Sequence, residues 1–260
     1  MRRPNIVLQT DSYKLTHYDM YPHDTRGIYS YLEARPSNGA DPYTVWFGLQ
    51  YMLAEYLEGA RVTADDIEEA YELAAHHLPS KKIFNRSGWE YILREHGGRL
   101  PVRIAALPEG LVVPRGTALM TIENTDPAVP WLTNAVESLL LKMWYPMTVA
   151  TVSHNLRCQL NQRVRDTGGD PEAASQYMLH DFGYRGATTE EAAMVGGGAH
   201  LLNFMGTDTL VGMRWLREYY GASLSGLAHS VSASEHSVMT AAGRAGEHAL
   251  SRRIISSREG

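Results

Sequence analysis

Apolar positions recur along this chain with two different periods, and the change of period sorts its segments into strands and helices. Over residues 27–34 the chain alternates, with Ile28, Ser30 and Leu32 on one side and Tyr29, Tyr31 and Glu33 on the other. That is the period of a strand. Over 64–78 the apolar stripe is Ile67, Ala70, Tyr71, Ala74, Ala75 and Leu78. This spacing predicts a helix buried on one face, with Thr63 placed to cap it. Residues 102–107, 111–113 and 118–123 are short strand candidates, separated by Pro108-Glu109-Gly110 and Pro114-Arg115-Gly116. Strands so closely spaced predict a small antiparallel unit. Two helices follow. Trp131, Ala135, Val136, Leu139, Leu140 and Met143 form one stripe, and Pro146 then punctuates the chain. Val149, Val152, Leu156, Leu160 and Val164 form the next.

The loop Asp166-Thr167-Gly168-Gly169-Asp170-Pro171 marks a change of texture. A boundary between Pro146 and Pro171 divides the chain into a mixed α+β domain at 1–150 and the beginning of a second domain at 151–260. In the second, strand candidates at 177–180, 201–204 and 227–231 run toward Asp181, Asp208 and His236. These three are spaced 27 and 28 residues apart. Each stands just after a strand and at or before a helix. Thr188-x-x-Glu191 reads as a capping box for the first helix, and Leu210, Met213, Leu216 and Tyr220 mark the second. This is the rhythm of parallel β/α units, whose functional groups gather at the carboxyl ends of the strands. Three units cannot close an eightfold barrel, which takes ~250 residues by itself. The expected fold class is therefore α/β: a mixed α+β N-terminal domain followed by an incomplete (β/α) barrel-like domain.

Composition narrows the function classes. The chain of 260 residues is 44% hydrophobic and 20% charged, enough to bury a core. Its formal net charge of -5 argues against a general nucleic-acid binder, which needs a basic surface. The single cysteine, Cys158, allows no intramolecular disulfide and points to a reducing, cytoplasmic setting. On its amphipathic helix Cys158 reads as structural rather than nucleophilic. No apolar run approaches the ~20 residues that cross a bilayer, and no apolar segment follows Arg2-Arg3 as a signal peptide requires. A soluble, intracellular protein is expected.

Candidate chemistry lies in three turns. His180-Asp181-Phe182-Gly183-Tyr184-Arg185-Gly186 offers an aromatic ring for stacking and a guanidinium for phosphate. On composition alone it reads more simply as a glycine-rich strand-to-helix turn. In Gly206-Thr207-Asp208-Thr209, Asp208 can accept from an amide or simply cap a helix. In Ser234-Glu235-His236-Ser237, His236 can move a proton or take a phosphoryl group, or be a surface histidine at a helix start. If the three turns occupy neighbouring strand ends they compose a small-molecule site. Asp11 and Ser12 read most simply as caps, Arg35 as a solvated charge, and Tyr51, Tyr56 and the five tryptophans as core. No Walker motif or dinucleotide glycine fingerprint is present. Gly196-Gly197-Gly198 interrupts a helical pattern, for close packing or for ligand approach.

Ordered stretches along nearly the whole chain carry a family resemblance. They are TDSYKLTHYDMYP from Thr10, FGLQYML from Phe47, PEGLVVPRG from Pro108, ENTDP from Glu123, WYPMTVAT from Trp144, LHDFGYRG from Leu179, NFMGTDT from Asn203 and SEHSVMTA from Ser234. With these the sequence resembles the nicotinamide phosphoribosyltransferases, in the type II phosphoribosyltransferase family, over the N-terminal half of their length. The resemblance implies an enzyme of NAD salvage that condenses nicotinamide with phosphoribosyl pyrophosphate. It implies a homodimer with the site at the subunit interface, Phe182 stacking on one face of nicotinamide and Tyr13 of the other subunit on the opposite face. Asp208 would hold the carboxamide and repel nicotinate, and Arg185 would hold phosphate. Asp11 and Arg35 would lie near the site. His236 would be phosphorylated when ATP hydrolysis stimulates the reaction, and Mg2+ would ride on the pyrophosphate, with no protein ligand to the metal named. The family's chain continues beyond the position matching Gly260, which implies a shortened form or one needing a chain that supplies the missing C-terminal half. Two alternatives stand beside this: a non-catalytic fragment or partner subunit that binds nicotinamide without turnover, and a nicotinate phosphoribosyltransferase. No nucleic acid or membrane partner is expected.

Overall fold

The structure, a computed structural model, describes residues 4–35 and 42–256. Arg2, Arg3, Pro36 and residues 257–260 lie outside the described residues. The chain falls into two units, Met1–Ala228 and His229–Gly260.

In the first unit the antiparallel strands form as the turn spacing predicts. β1 (Tyr29–Glu33) and β3 (Val102–Ala106) flank β5 (Ala118–Asn124) in a three-stranded antiparallel sheet. β2 (Tyr43–Val45) pairs antiparallel with β4 (Val112–Pro114). Leu119, Met120 and Ile122 of β5 are buried, while Tyr29 and Tyr31 of β1 face outward. β2 was not foreseen, because three residues are too few to display an alternation.

α1 (Leu49–Met52) begins after Gly48, whose φ of 113° suits glycine alone. The Glu109 carboxylate accepts the N–H groups of Gly48 at 2.5 Å and Gln50 at 2.6 Å. It thereby supplies the negative charge and acceptors that a helix start needs. α2 (Ala64–His77) is capped as expected. Thr63 accepts from Asp66 N at 3.2 Å, and Asp66 returns the bond to Thr63 N at 2.9 Å. α3 (Arg86–His96) ends at Gly97 with φ 59°.

The helix expected over 131–143 is two pieces, α4 (Leu132–Ala135) and α5 (Glu137–Leu141). α6 (Trp144–Asp166) follows and runs without a break across position 150. Pro146 lies in its first turn, where the missing N–H costs nothing. The buried face of α6 differs from the expected stripe. Thr151, not Val152, faces inward, because its Oγ1 accepts Val45 N of β2 at 2.9 Å and lies 3.2 Å from Thr44 Oγ1. Val152 is exposed, and so is Cys158, which therefore has no structural role in the core. Four tryptophans are buried as expected, but Trp144 is 64% exposed.

α7 (Pro171–Ala174) starts after the cap Asp170. β6 (His180–Asp181) and β7 (Gly206–Thr207) form a parallel pair, joined by α8 (Glu190–His200) and followed by α9 (Leu210–Tyr220). Both strands begin later than their apolar runs predicted. Residues 175–177 are a 3-10 turn, and Gln176 O accepts Met205 N at 2.8 Å. Residues 201–203 turn because Arg157 grips Asn203 O at 2.7 Å while Asn203 Nδ2 reaches Ala150 O at 3.2 Å. The cap of α8 is Thr189, one residue later than expected. Glu191 is free of any capping role and instead accepts the hydroxyls of Tyr51 at 2.7 Å and Tyr56 at 2.6 Å.

The expected strand over 227–231 does not form; a single bridge residue at 229 stands in its place. A five-residue apolar run carries too little periodicity to distinguish strand from loop. The second unit consists chiefly of α10 (His236–Ser256), bent at Gly243 with φ 63° and ψ 167°. No helix among the described residues is long and apolar enough to cross a membrane.

Candidate functional site

The carboxyl ends of β6 and β7 lie side by side. Asp208 N donates to Asp181 O at 2.9 Å, which carries the pairing one residue past the strands. Asp181 is committed to the turn itself. Its Oδ1 accepts Gly183 N at 2.7 Å, and Thr207 Oγ1 reaches its Oδ2 at 3.4 Å. This side-chain turn folds the chain back and leaves Phe182 outside. Phe182 is 68% exposed, and Tyr184 and Arg185 in the following 3-10 turn are also exposed.

Behind Phe182 is a cavity of about 250 Å³, lined by residues that include His180, Asp181, Gly183, Tyr145, Gly197 and His200. The glycine triplet of α8 serves close packing at every position. A Cβ on Gly196 would stand 2.4 Å from Tyr145 Oη, one on Gly197 3.1 Å from Asp181 Oδ2, and one on Gly198 2.3 Å from Trp215 Cε3. Gly212 of α9 meets the Gly197 backbone in the same way, at 2.8 Å. The glycines thus bring α8 against both α9 and the turn that bears Phe182.

Asp208 does not cap α9; Thr209 occupies that position. Instead Asp208 Oδ1 accepts from His180 Nε2 at 2.9 Å. The His180 ring lies against Phe182, with centroids 4.5 Å apart and planes inclined by 31°. Phe182, His180 and Asp208 are therefore one contiguous group. His200 sits deeper and is buried. Its Nε2 donates to Gly206 O at 3.1 Å, and its ring stacks on Phe204 at 5.2 Å. Burial lowers its pKa, against the opposing pull of the Gly206 carbonyl and Asp181. Neither His180 nor His200 was singled out from the sequence, since a lone histidine at a strand end or on a glycine-rich helix carries no spacing signal.

Of the other expected residues, Tyr13, Asp11 and Arg35 lie elsewhere in the first unit. Tyr13 is 57% exposed and meets His17 edge-on at 5.1 Å. Neighbouring Lys14 is buried and pairs with Glu137 at 2.9 Å. Asp11 precedes the 3-10 helix Ser12–Asp19 without capping it, and accepts from Ser138 Oγ. Arg35 lines a different cavity of about 460 Å³, together with Arg115, Thr148 and Asn155. None of these three lines the cavity behind Phe182. His236 is the first residue of α10 in the second unit, next to a Ser237 hydroxyl that donates to Glu235. Among the described residues no three or more His, Cys, Asp or Glu side chains gather in a way that could hold a metal ion.

These features can be set beside known proteins. The family profile described as the nicotinamide phosphoribosyltransferase N-terminal domain matches residues 5–104. That of the nicotinate phosphoribosyltransferase family matches residues 177–257. The nicotinamide phosphoribosyltransferase of Xanthomonas campestris pv. campestris (strain 8004) is 44% identical over 241 residues, covering 92% of this chain and 50% of the relative.

The chain belongs to the nicotinamide phosphoribosyltransferase family.

Similar family members include that of Mycoplasma pneumoniae (strain ATCC 29342 / M129 / Subtype 1), 31% identical with 96% of this chain and 56% of the relative covered. That of Acinetobacter baylyi (strain ATCC 33305 / BD413 / ADP1) is 30% identical, with coverages of 97% and 52%. The chain spans about half the length of these nicotinamide phosphoribosyltransferases. The crystal structure of human nicotinic acid phosphoribosyltransferase matches with a TM-score of 0.57 at 19% identity, over 89% of this chain and 40% of that one. This likeness establishes the shared mixed α/β fold.

Proposed function

We propose that this chain contributes to the transfer of phosphoribose to nicotinamide, with nicotinamide and phosphoribosyl pyrophosphate as substrates and nicotinamide mononucleotide and pyrophosphate as products. The observation that carries the reading is the group formed by Phe182 and Asp208. An exposed flat ring and a carboxylate steadied by His180 stand at adjacent strand ends. Nicotinamide is a flat ring bearing an amide, and this pair offers a stacking face and an acceptor for its N–H.

In the reaction the ring nitrogen donates its lone pair to ribose carbon 1. The bond from that carbon to the pyrophosphate oxygen breaks, and its electrons leave with pyrophosphate. No proton need move. The protein's share is to orient the ring and to favour developing charge. Tyr13 of a second copy stacks on the far face of nicotinamide, which makes the working form a homodimer. Arg185 meets phosphate through its planar fork, with Arg35 and Asp11 beside the phosphoribosyl group. Mg2+ is carried on the pyrophosphate. ATP stimulation passes through phosphorylation of His236. A cytoplasmic setting suits the single cysteine.

One test is formation of nicotinamide mononucleotide from nicotinamide, phosphoribosyl pyrophosphate and Mg2+, with and without ATP. Turnover by the chain supports the full activity. Nicotinamide binding without turnover supports the second reading, a partner or fragment that binds only. A third reading, action on nicotinate, is favoured by the profile over residues 177–257. Asp208 opposes it, because a carboxylate repels the charge of nicotinate. Competition between the two substrates decides.

A further inference from the structure

We propose that His180 is a positioning residue that sets ring stacking and amide recognition together. Its Nε2–H holds the Asp208 carboxylate while its imidazole backs the Phe182 ring. This inference rests on the nicotinamide reading above and extends it to a residue that the resemblance does not assign.

Three observations carry it. The first is the bond itself. Asp208 Oδ1 and His180 Nε2 are 2.9 Å apart. A carboxylate only accepts, so the hydrogen sits on Nε2. The second is the contact on the ring face, 4.5 Å between the centroids of His180 and Phe182. The third is the space made for the imidazole. His180 lies opposite Gly206 in the parallel β6-β7 register, and a Cβ on Gly206 would stand 2.8 Å from His180 Nδ1 and 3.0 Å from Leu179 O. Any larger residue at 206 would push the ring out of its slot.

The consequence follows from the geometry. Asp208 is 46% exposed in its side chain and Phe182 is 68% exposed overall, whereas the side chain of His180 is 22% exposed. The two exposed groups expected to touch ligand therefore lean on one better-buried group between them. A carboxylate has about four acceptor positions, more than the bond to His180 occupies. Fixing the carboxylate and ring before binding removes ordering that nicotinamide would otherwise have to impose.

The test measures the Kd of nicotinamide for the full chain and for H180F, H180Q, D208N and H180F/D208N, with circular dichroism to establish folding. H180F keeps a ring against Phe182 but has no donor, and H180Q keeps a donor without the ring. The proposal expects H180F to bind about tenfold more weakly, the scale of a side chain losing its prior ordering. It expects H180Q to recover part of that loss. It expects the double variant to bind no more weakly than D208N, because the histidine acts through the aspartate. Affinity of H180F equal to wild type, or full addition of the two single losses, overturns it. If H180F does not fold, H180A replaces it; because alanine also removes the ring behind Phe182, it is expected to lose at least as much affinity as H180F and more than H180Q, and affinity equal to wild type overturns the proposal. If the wild type itself shows no nicotinamide binding, the functional reading falls and takes this inference with it. If the wild type binds and the H180F loss is absent, this inference alone falls.

Discussion

Gly198 lies bare against the indole of Trp215, so close that a Cβ on the glycine would stand 2.3 Å from Cε3. Trp215 is fully buried and packs edge-on against Phe47 at 5.7 Å and Tyr51 at 5.5 Å. It cannot retreat without disturbing the core between α9 and α1. Gly198→Ala is therefore expected to destabilise the protein by about 1–3 kcal/mol, the usual cost of overpacking. This outweighs the gain of about 0.5–1 kcal/mol from replacing a helical glycine. Urea unfolding measures the difference, and a variant as stable as wild type would show that α8 and α9 are not held so closely.

Glu191 gathers two tyrosine hydroxyls on one carboxylate oxygen, Tyr51 at 2.7 Å and Tyr56 at 2.6 Å. Burial, and then the carboxylate, raise the pKa of both phenols, that of Tyr56 to about 12. Tyr51 is nearly fully buried, so removing the Glu191 carboxylate takes the acceptor from its hydroxyl and leaves Tyr56 beside it as the remaining side-chain partner. Glu191→Ala should cost about 1–3 kcal/mol in denaturant unfolding. It should also bring the Tyr56 ionisation nearer its ordinary value in a spectrophotometric titration.

Buried His200 gives the fold a pH dependence of known sign. Its folded pKa is held below the ordinary value of about 6.5 by burial. Both forms can donate Nε2–H to Gly206 O, and it is the cost of burying the charge that favours the neutral one. A depressed folded pKa means that the unfolded chain binds the proton first. The stabilisation is complete above pH of about 6.5 and is lost as pH falls below that value toward the folded pKa. His200→Gln should flatten the stability curve between about pH 7 and pH 5. An unchanged slope in that window, measured by thermal unfolding at a series of pH values, would contradict the assignment.

The sequence displayed the locally encoded parts of the structure and hid those set by distant partners. The antiparallel strands were legible because proline and glycine turns bracket alternating runs, and α2 because Thr63 and its apolar stripe lie within one segment. β2 was hidden because Tyr43–Val45 becomes a strand only by pairing with β4. The late start of β6 goes with the bond from Met205 N to Gln176 O, and that of β7 with Arg157 and Asn203, all partners that act across the fold.

In the site, Phe182 and Asp208 were visible as turn residues with chemistry. Their union through His180 was not, since it depends on a register between strands 26 residues apart, from 180 to 206. Glu109 reads from the sequence only as part of a turn, and Glu191 as part of a capping box, whereas the structure gives them three and two donors respectively. The family resemblance, and not the periodicity, supplied the roles of Tyr13, Arg35 and His236.

The central claim is that Phe182 and Asp208 together receive nicotinamide. The most direct measurement is a calorimetric titration of nicotinamide into the folded wild-type chain and into Phe182→Ala and Asp208→Ala. Saturable binding by the wild type that weakens at least about tenfold in each variant, a loss of about 1.4 kcal/mol or more, is the expected result. Equal affinity in all three proteins would contradict it.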